Sequence, residues 1–220
     1  MGENCRINIK ITDRGALMNW LFTKLLTLPG IIVALSFHEF GHAWASDRLG
    51  DPTPRRQGRL SINPLAHIDW LGFAALLLCG FGWGKPVMIN PAYYKKRRRD
   101  ELIVAVAGIT MNLILAILFS FPTKWLYSAY LTSGSEMLEI LFYIFYYTVM
   151  INLCLMIFNL IPCPPLDGWN ILSQIVNLEK YSWYNTVYQY GSYILIILII
   201  SNVTDKILTP CISFFMNLLF

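Results

Sequence analysis

Three long apolar runs dominate the chain: Leu102 to Phe121, Ile140 to Ile161 and Tyr181 to Thr204, none of which contains a charged residue. A helix needs about 20 mostly apolar residues to cross a hydrocarbon layer of about 30 Å, so each run predicts a membrane-spanning helix. A fourth run, Leu25 to Trp44, is equally apolar apart from His38, Glu39 and His42, which sit well inside it. Pro29-Gly30 is placed as its start, with Leu17 to Leu28 forming a separate preceding or interfacial helix, because proline suits the first turn of a helix. The stretch Trp70 to Trp83 is shorter, contains glycine and is flanked by basic residues, which fits a re-entrant or interfacial hairpin. Alternation in Gly58 to Asn63 and the stretch Pro86 to Asn90 suggest short strands beside it. The expected fold class is an all-α integral membrane protein, a polytopic helical bundle with short membrane-associated β-strands or a re-entrant hairpin.

Charge orients this bundle. Ten of the seventeen Lys and Arg residues lie between Arg48 and Arg99, including the run Lys95 to Arg99. The positive-inside rule puts that region in the cytoplasm. Lys124 is the only basic residue between the next two spans, so that loop faces the opposite side. The chain then returns to the cytoplasm after Ile161. His38 and His42 fall near the cytoplasmic end of the first span, and Asp167 follows the cytoplasmic end of the third. Topology alone brings these three to similar depth.

Composition agrees and excludes other classes. Hydrophobic residues make up 56% of the 220 and charged residues 14%, against about 25% charged in a typical soluble domain. The chain reads as one membrane-embedded domain over 1–220, with a catalytic core of roughly 17–172 and a C-terminal helical segment, 181–220. The net charge of +4 comes from residues flanking apolar runs, so anchoring accounts for it and no nucleic-acid partner is expected. Five scattered cysteines, Cys5, Cys79, Cys154, Cys163 and Cys211, give neither a disulfide framework nor a C-x-x-C site. The polar, mixed-charge start MGENCRINIKITDRG lacks the features of a cleaved signal peptide and is expected to remain in the mature protein.

The chemistry concentrates in His38-Glu39-Phe40-Gly41-His42. On a helix, histidines four apart project from one face and can hold a single zinc ion, while the intervening glutamate lies beside it. Catalytic zinc takes three protein ligands and keeps one position open. The third ligand must come from His67, Asp47, Asp51, Asp69, Glu101 or Asp167. Only Asp167 has a turn-forming context, Pro164-Pro165-Leu166-Asp167-Gly168, able to aim a carboxylate without helical constraint. His67 reads as structural, and Cys163 as a small apolar filler. Ionisable groups inside an apolar span are costly and normally functional, so three at ligand spacing are not explained by packing.

The segments HEFGHAWASDRLGDP, GRLSINPLAHIDWLG, GWGKPVMINP, AGITMN and FNLIPCPPLDG together resemble the landmarks of the site-2 protease family of intramembrane zinc metalloproteases, in its short branch without PDZ or CBS domains. The resemblance implies that His38, His42 and Asp167 bind one zinc ion, that Glu39 is the general base, and that Asn159 contacts the substrate backbone or the developing oxyanion. In AGITMN the chain has Ile109 where the family usually has proline.

The expected reaction is zinc-dependent peptide hydrolysis, in which Glu39 takes a proton from the attacking water and delivers it to the leaving amine. The expected partners are the lipid bilayer and a membrane-protein substrate whose transmembrane segment unwinds and is held extended, by strand addition to one of the short strands. The expected location is a prokaryotic plasma membrane, with the active site nearer the cytoplasmic side. The alternative is a non-proteolytic zinc-binding scaffold or metal transporter. Glu39, at the position that catalysis requires, favours the protease.

Overall fold

The computed structural model describes residues 16–79 and 82–220. The polar N-terminal stretch lies outside them, and with it the expectation that this segment is retained. The described chain forms α1 (Ala16–Arg48), α2 (Thr53–Arg56), α3 (Trp70–Cys79), α4 (Arg97–Ser133), α5 (Glu136–Asn159), α6 (Asp167–Val176), α7 (Tyr184–Ile200) and α8 (Val203–Leu219). Three of these are long and apolar enough to cross a membrane, or four spans if α7 and α8 count as one bent element. The protein is a polytopic α-helical membrane protein.

The three long helices position everything else. At the start of α4, Asp100 reaches back to accept from the Lys96 backbone N–H at 2.9 Å, satisfying one of the free amides at a helix N-terminus. The helix ends at Gly134, whose φ of 65° is the left-handed conformation that glycine adopts freely. Only Ser135 then separates it from α5, so the two helices run antiparallel. Their interface is apolar: Ile109 and Ala116 meet Val149, Leu153, Met156 and Ile157, with Leu208, Ile212, Phe215 and Leu219 of α8 covering the cluster. Helix α1 lies against both. Its Gly30 is close enough to α5 that a Cβ would stand 2.9 Å from the Thr148 Cα.

Two predicted boundaries shift. Pro29 does not start a helix but lies inside α1, which continues unbroken from Ala16 to Arg48. Neighbouring helices let a membrane helix tolerate the missing N–H, and the close packing at Gly30 holds the two halves together. The expected span 181–204 instead stops at Ile200, where Asn202 turns left-handed (φ 57°) and α8 leaves at 71° to α7.

The expected short strands do not form among the described residues. The groups a strand partner would use are taken by side chains. Buried Arg59 donates to the carbonyls of Ala66, Lys85 and Pro86. The Val87 amide goes to Glu39 and the Asn90 amide to Asp51. In the expected hairpin, α3 has ten residues, about 15 Å of helix, half of what a crossing requires, and residues 80–81 that follow it lie outside the described residues.

Candidate metal centre and catalytic base

Helix periodicity puts His38 and His42 one turn apart on the face of α1 that meets α4, with their ring centroids 4.7 Å apart. Each ring is held from behind. His42 Nδ1 lies 2.8 Å from the carbonyl of Val104, an acceptor only, so it carries the proton. His38 Nδ1 lies 2.7 Å from Oδ1 of Asn112. Both Nε2 atoms therefore present lone pairs, 3.1 Å apart.

Asp167 completes the group from the first residue of α6. Its Oδ2 is 3.2 Å from each Nε2 and has no other hydrogen-bond partner. The carboxylate reaches this point because α6 starts hard against the end of α5: a Cβ on Gly168 would overlap the carbonyls of Leu160 and Ile161. The expected freedom from helical constraint does not hold, since Asp167 is itself the first residue of α6, and Gly168 serves by lacking volume, with no positive φ.

Three electron-rich atoms facing one another at 3.1 to 3.2 Å repel unless a cation sits among them. Ligand atoms about 2.0–2.2 Å from a tetrahedral zinc lie roughly 3.3–3.6 Å apart, close to the spacing seen here. His38, His42 and Asp167 form the single metal-competent His, Cys, Asp and Glu group among the described residues. Gly108 of α4 floors it, since a methyl group there would overlap both histidine rings. The donor set fits zinc.

Glu39, between the histidines in sequence, accepts a hydrogen bond from the Val87 backbone N–H on Oε2 at 2.9 Å. Gly84 lies beside its other oxygen, where a Cβ would make only an ordinary contact at 3.8 Å. Asn159 closes α5 and donates its side-chain amide to the Leu155 carbonyl at 3.0 Å.

The other third-ligand candidates are engaged elsewhere. Asp47 pairs with Arg55, Glu101 with Arg97 and Gln174, and Asp69 caps Gly72. Asp51 accepts from Ser46, Thr53 and Asn90. Burial raises its carboxyl, but these hydrogen bonds outweigh burial and hold it below the ordinary aspartate value. Tyr94 bonds the same Ser46, and burial pushes its phenol up to about 12. His67 is fully buried, bonded through Nε2 to the Ser61 carbonyl, and burial pulls it below the usual histidine value. Buried Cys163 packs among Ile161, Leu166 and Leu195, as a filler should.

A model of the family described as Peptidase family M50 matches residues 126–201, which include Asn159 and Asp167. The chain is 35% identical over 202 residues to "Putative zinc metalloprotease YwhC" of Bacillus subtilis (strain 168), covering 88% of this chain and 90% of that protein. It belongs to peptidase family M50. The M50 resemblance extends to the protein named Rip2 of Mycolicibacterium smegmatis, 27% identical over 218 residues, with 90% and 80% of the two chains covered. No solved structure matches the chain. Sequence reasoning about this M50 member passed over Asn152 and Gly108's place beneath the histidines. A polar amide inside an apolar span was the available signal for Asn152.

Proposed function

We propose that this M50 peptidase hydrolyses peptide bonds in or near transmembrane segments of membrane proteins, with zinc held by His38, His42 and Asp167 and with Glu39 as general base. The observation that carries the reading is the convergence of three ligand atoms at 3.1 to 3.2 Å beside a carboxylate fixed by a backbone amide. Zinc bound there supplies Lewis acidity, polarising a carbonyl and making water acidic near neutral pH. Glu39 accepts the proton of the attacking water through Oε1, the oxygen not engaged by the Val87 amide, then delivers it to the leaving amine. The Val87 N–H keeps the other oxygen occupied, so the carboxylate holds one orientation. Asn159 is assigned to the substrate carbonyl, for which its amide must exchange the Leu155 contact.

The surroundings support this substrate class. The site lies inside a helical membrane bundle, and the loop passing Glu39 offers unpaired backbone. Among the described residues no hydrogen bond involves the Met88 or Ile89 amides, which follow Val87 directly. An unwound substrate segment can pair there as an added strand. Basic residues Arg55, Arg56 and Lys95 to Arg99 support a cytoplasmic position for this end of the bundle. A reporter fused near Arg97 is expected inside the cell and one near Ser133 outside, and the reverse pattern would invert the assignment.

A metal transporter or scaffold is less well supported, because carriage needs ligands along a path and the described residues hold one such group. The test is Glu39→Gln in detergent-purified protein. It should keep about one zinc per chain and lose cleavage of a membrane-spanning substrate by roughly 100-fold or more. Undiminished cleavage would sink the proposal.

A further inference from the structure

Behind the metal centre runs a chain of side-chain amides that a bilayer-embedded core has no packing reason to hold. Asn112 of α4 and Asn152 of α5 are both wholly buried. The Asn152 amide nitrogen donates to the Thr148 carbonyl at 2.8 Å. The Asn112 amide nitrogen donates to the Ala34 carbonyl at 3.1 Å and to Asn152 Oδ1 at 3.0 Å. Asn112 Oδ1 is then left to face His38 Nδ1 at 2.7 Å.

The direction of this chain is fixed by atoms that cannot reverse it. Main-chain carbonyls only accept, so Thr148 O and Ala34 O each demand an NH₂ group opposite them. Turning Asn112 over would set its oxygen against two acceptors and its NH₂ against the histidine. Asn112 must therefore accept, His38 Nδ1 must carry its proton, and His38 Nε2 must hold the lone pair. We infer that Asn112, oriented by Asn152, is a positioning residue that locks His38 in its metal-binding tautomer and rotamer, and so sets the affinity of the site for zinc.

This inference rests on the metal-site reading above. Its partner contact on His42 is a backbone carbonyl, which mutation cannot remove, so the His38 side alone has a tunable support. The relay also joins α1, α4 and α5, helices that the chain brings together only on folding. Removing such a support behind a ligating histidine typically weakens metal binding about 10- to 100-fold.

The test measures zinc affinity by chelator competition in the Glu39→Gln background, together with the visible spectrum of the cobalt-substituted protein. Asn112→Leu, similar in volume but without an acceptor, should weaken zinc binding about 10- to 100-fold and alter the cobalt spectrum. Asn112→Asp keeps an acceptor for His38 and, as the neutral acid, an O–H that can donate to Ala34 O or Asn152 Oδ1, so it should bind at least several-fold more tightly than Asn112→Leu. Adding Asn152→Leu to Asn112→Leu should cause little further loss, because both act on one contact. Wild-type affinity in Asn112→Leu, or equal loss in the Leu and Asp variants, would overturn the relay while leaving the metal site intact. If Asn112→Leu is not recovered folded, Asn152→Leu replaces it, with a loss of roughly threefold or more expected and an unchanged affinity refuting the proposal. Absence of zinc binding in the parent protein would remove the metal site itself, and the relay with it.

Discussion

The backbone N–H of Val87 donates to Oε2 of Glu39 at 2.9 Å, joining the loop after α3 to the carboxylate between the two histidines. The loop is held for this by Arg59, whose guanidinium takes the carbonyls of Lys85 and Pro86 just before it, and by Asp51, which takes the Asn90 amide after it at 2.7 Å. Val87→Pro deletes the donor while keeping an apolar side chain. It should lower kcat/KM about 10- to 100-fold with zinc content unchanged, since a base displaced by about 1 Å loses that much. Zinc analysis and cleavage measured on the same preparation decide it, and an unchanged kcat/KM would show that the amide does not orient the base.

Asp167 and Glu39 should separate cleanly on removal. Asp167→Ala leaves two neutral imidazoles, so tight zinc binding and cleavage should both be lost, whereas Glu39→Gln keeps the metal. Stoichiometric zinc surviving a chelator in Asp167→Ala would exclude this carboxylate as a ligand.

Gly108→Ala tests the floor of the site. The added methyl overlaps the His42 and His38 rings, so at least one must turn away. Zinc affinity should fall by at least about tenfold, and overpacking should cost about 1–3 kcal/mol of stability. Competition with a chelator and a thermal melt read the two effects, and wild-type zinc affinity would contradict the geometry.

Acid should erode the loop support through Asp51. Its carboxyl sits below the 3.8 of an ordinary aspartate because hydrogen bonds to the anion outweigh burial. A lowered folded-state pKa stabilises above the unfolded value and is lost as pH falls through the folded one. Asp51→Asn should therefore melt below wild type at pH 7, by an amount worth about 1–3 kcal/mol, and the gap should close as pH drops below about 4. A gap that widens in acid would reverse the sign.

The sequence alone determined the parts of this protein that depend on local periodicity and on the cost of charge in hydrocarbon. Uncharged runs of about 20 residues have to be helices in a bilayer, so α4 and α5 were legible, as was the His38–His42 pair one turn apart on α1. Asp167 was legible because its turn context set it apart from five other candidates. What only the tertiary structure decided lies where one side chain chooses between partners far away in sequence. Arg59 took the carbonyls, and Glu39 and Asp51 the amides, that a strand would have used, so the expected strands were replaced by a loop pinned against Glu39. Close contact with α5 at Gly30 carried α1 through Pro29. The roles of Asn112 and Asn152 also emerged only when three helices met. A buried amide reads in sequence as a polar residue in an apolar run, and its direction is set by carbonyls on other helices, here Ala34 and Thr148, which no local pattern encodes.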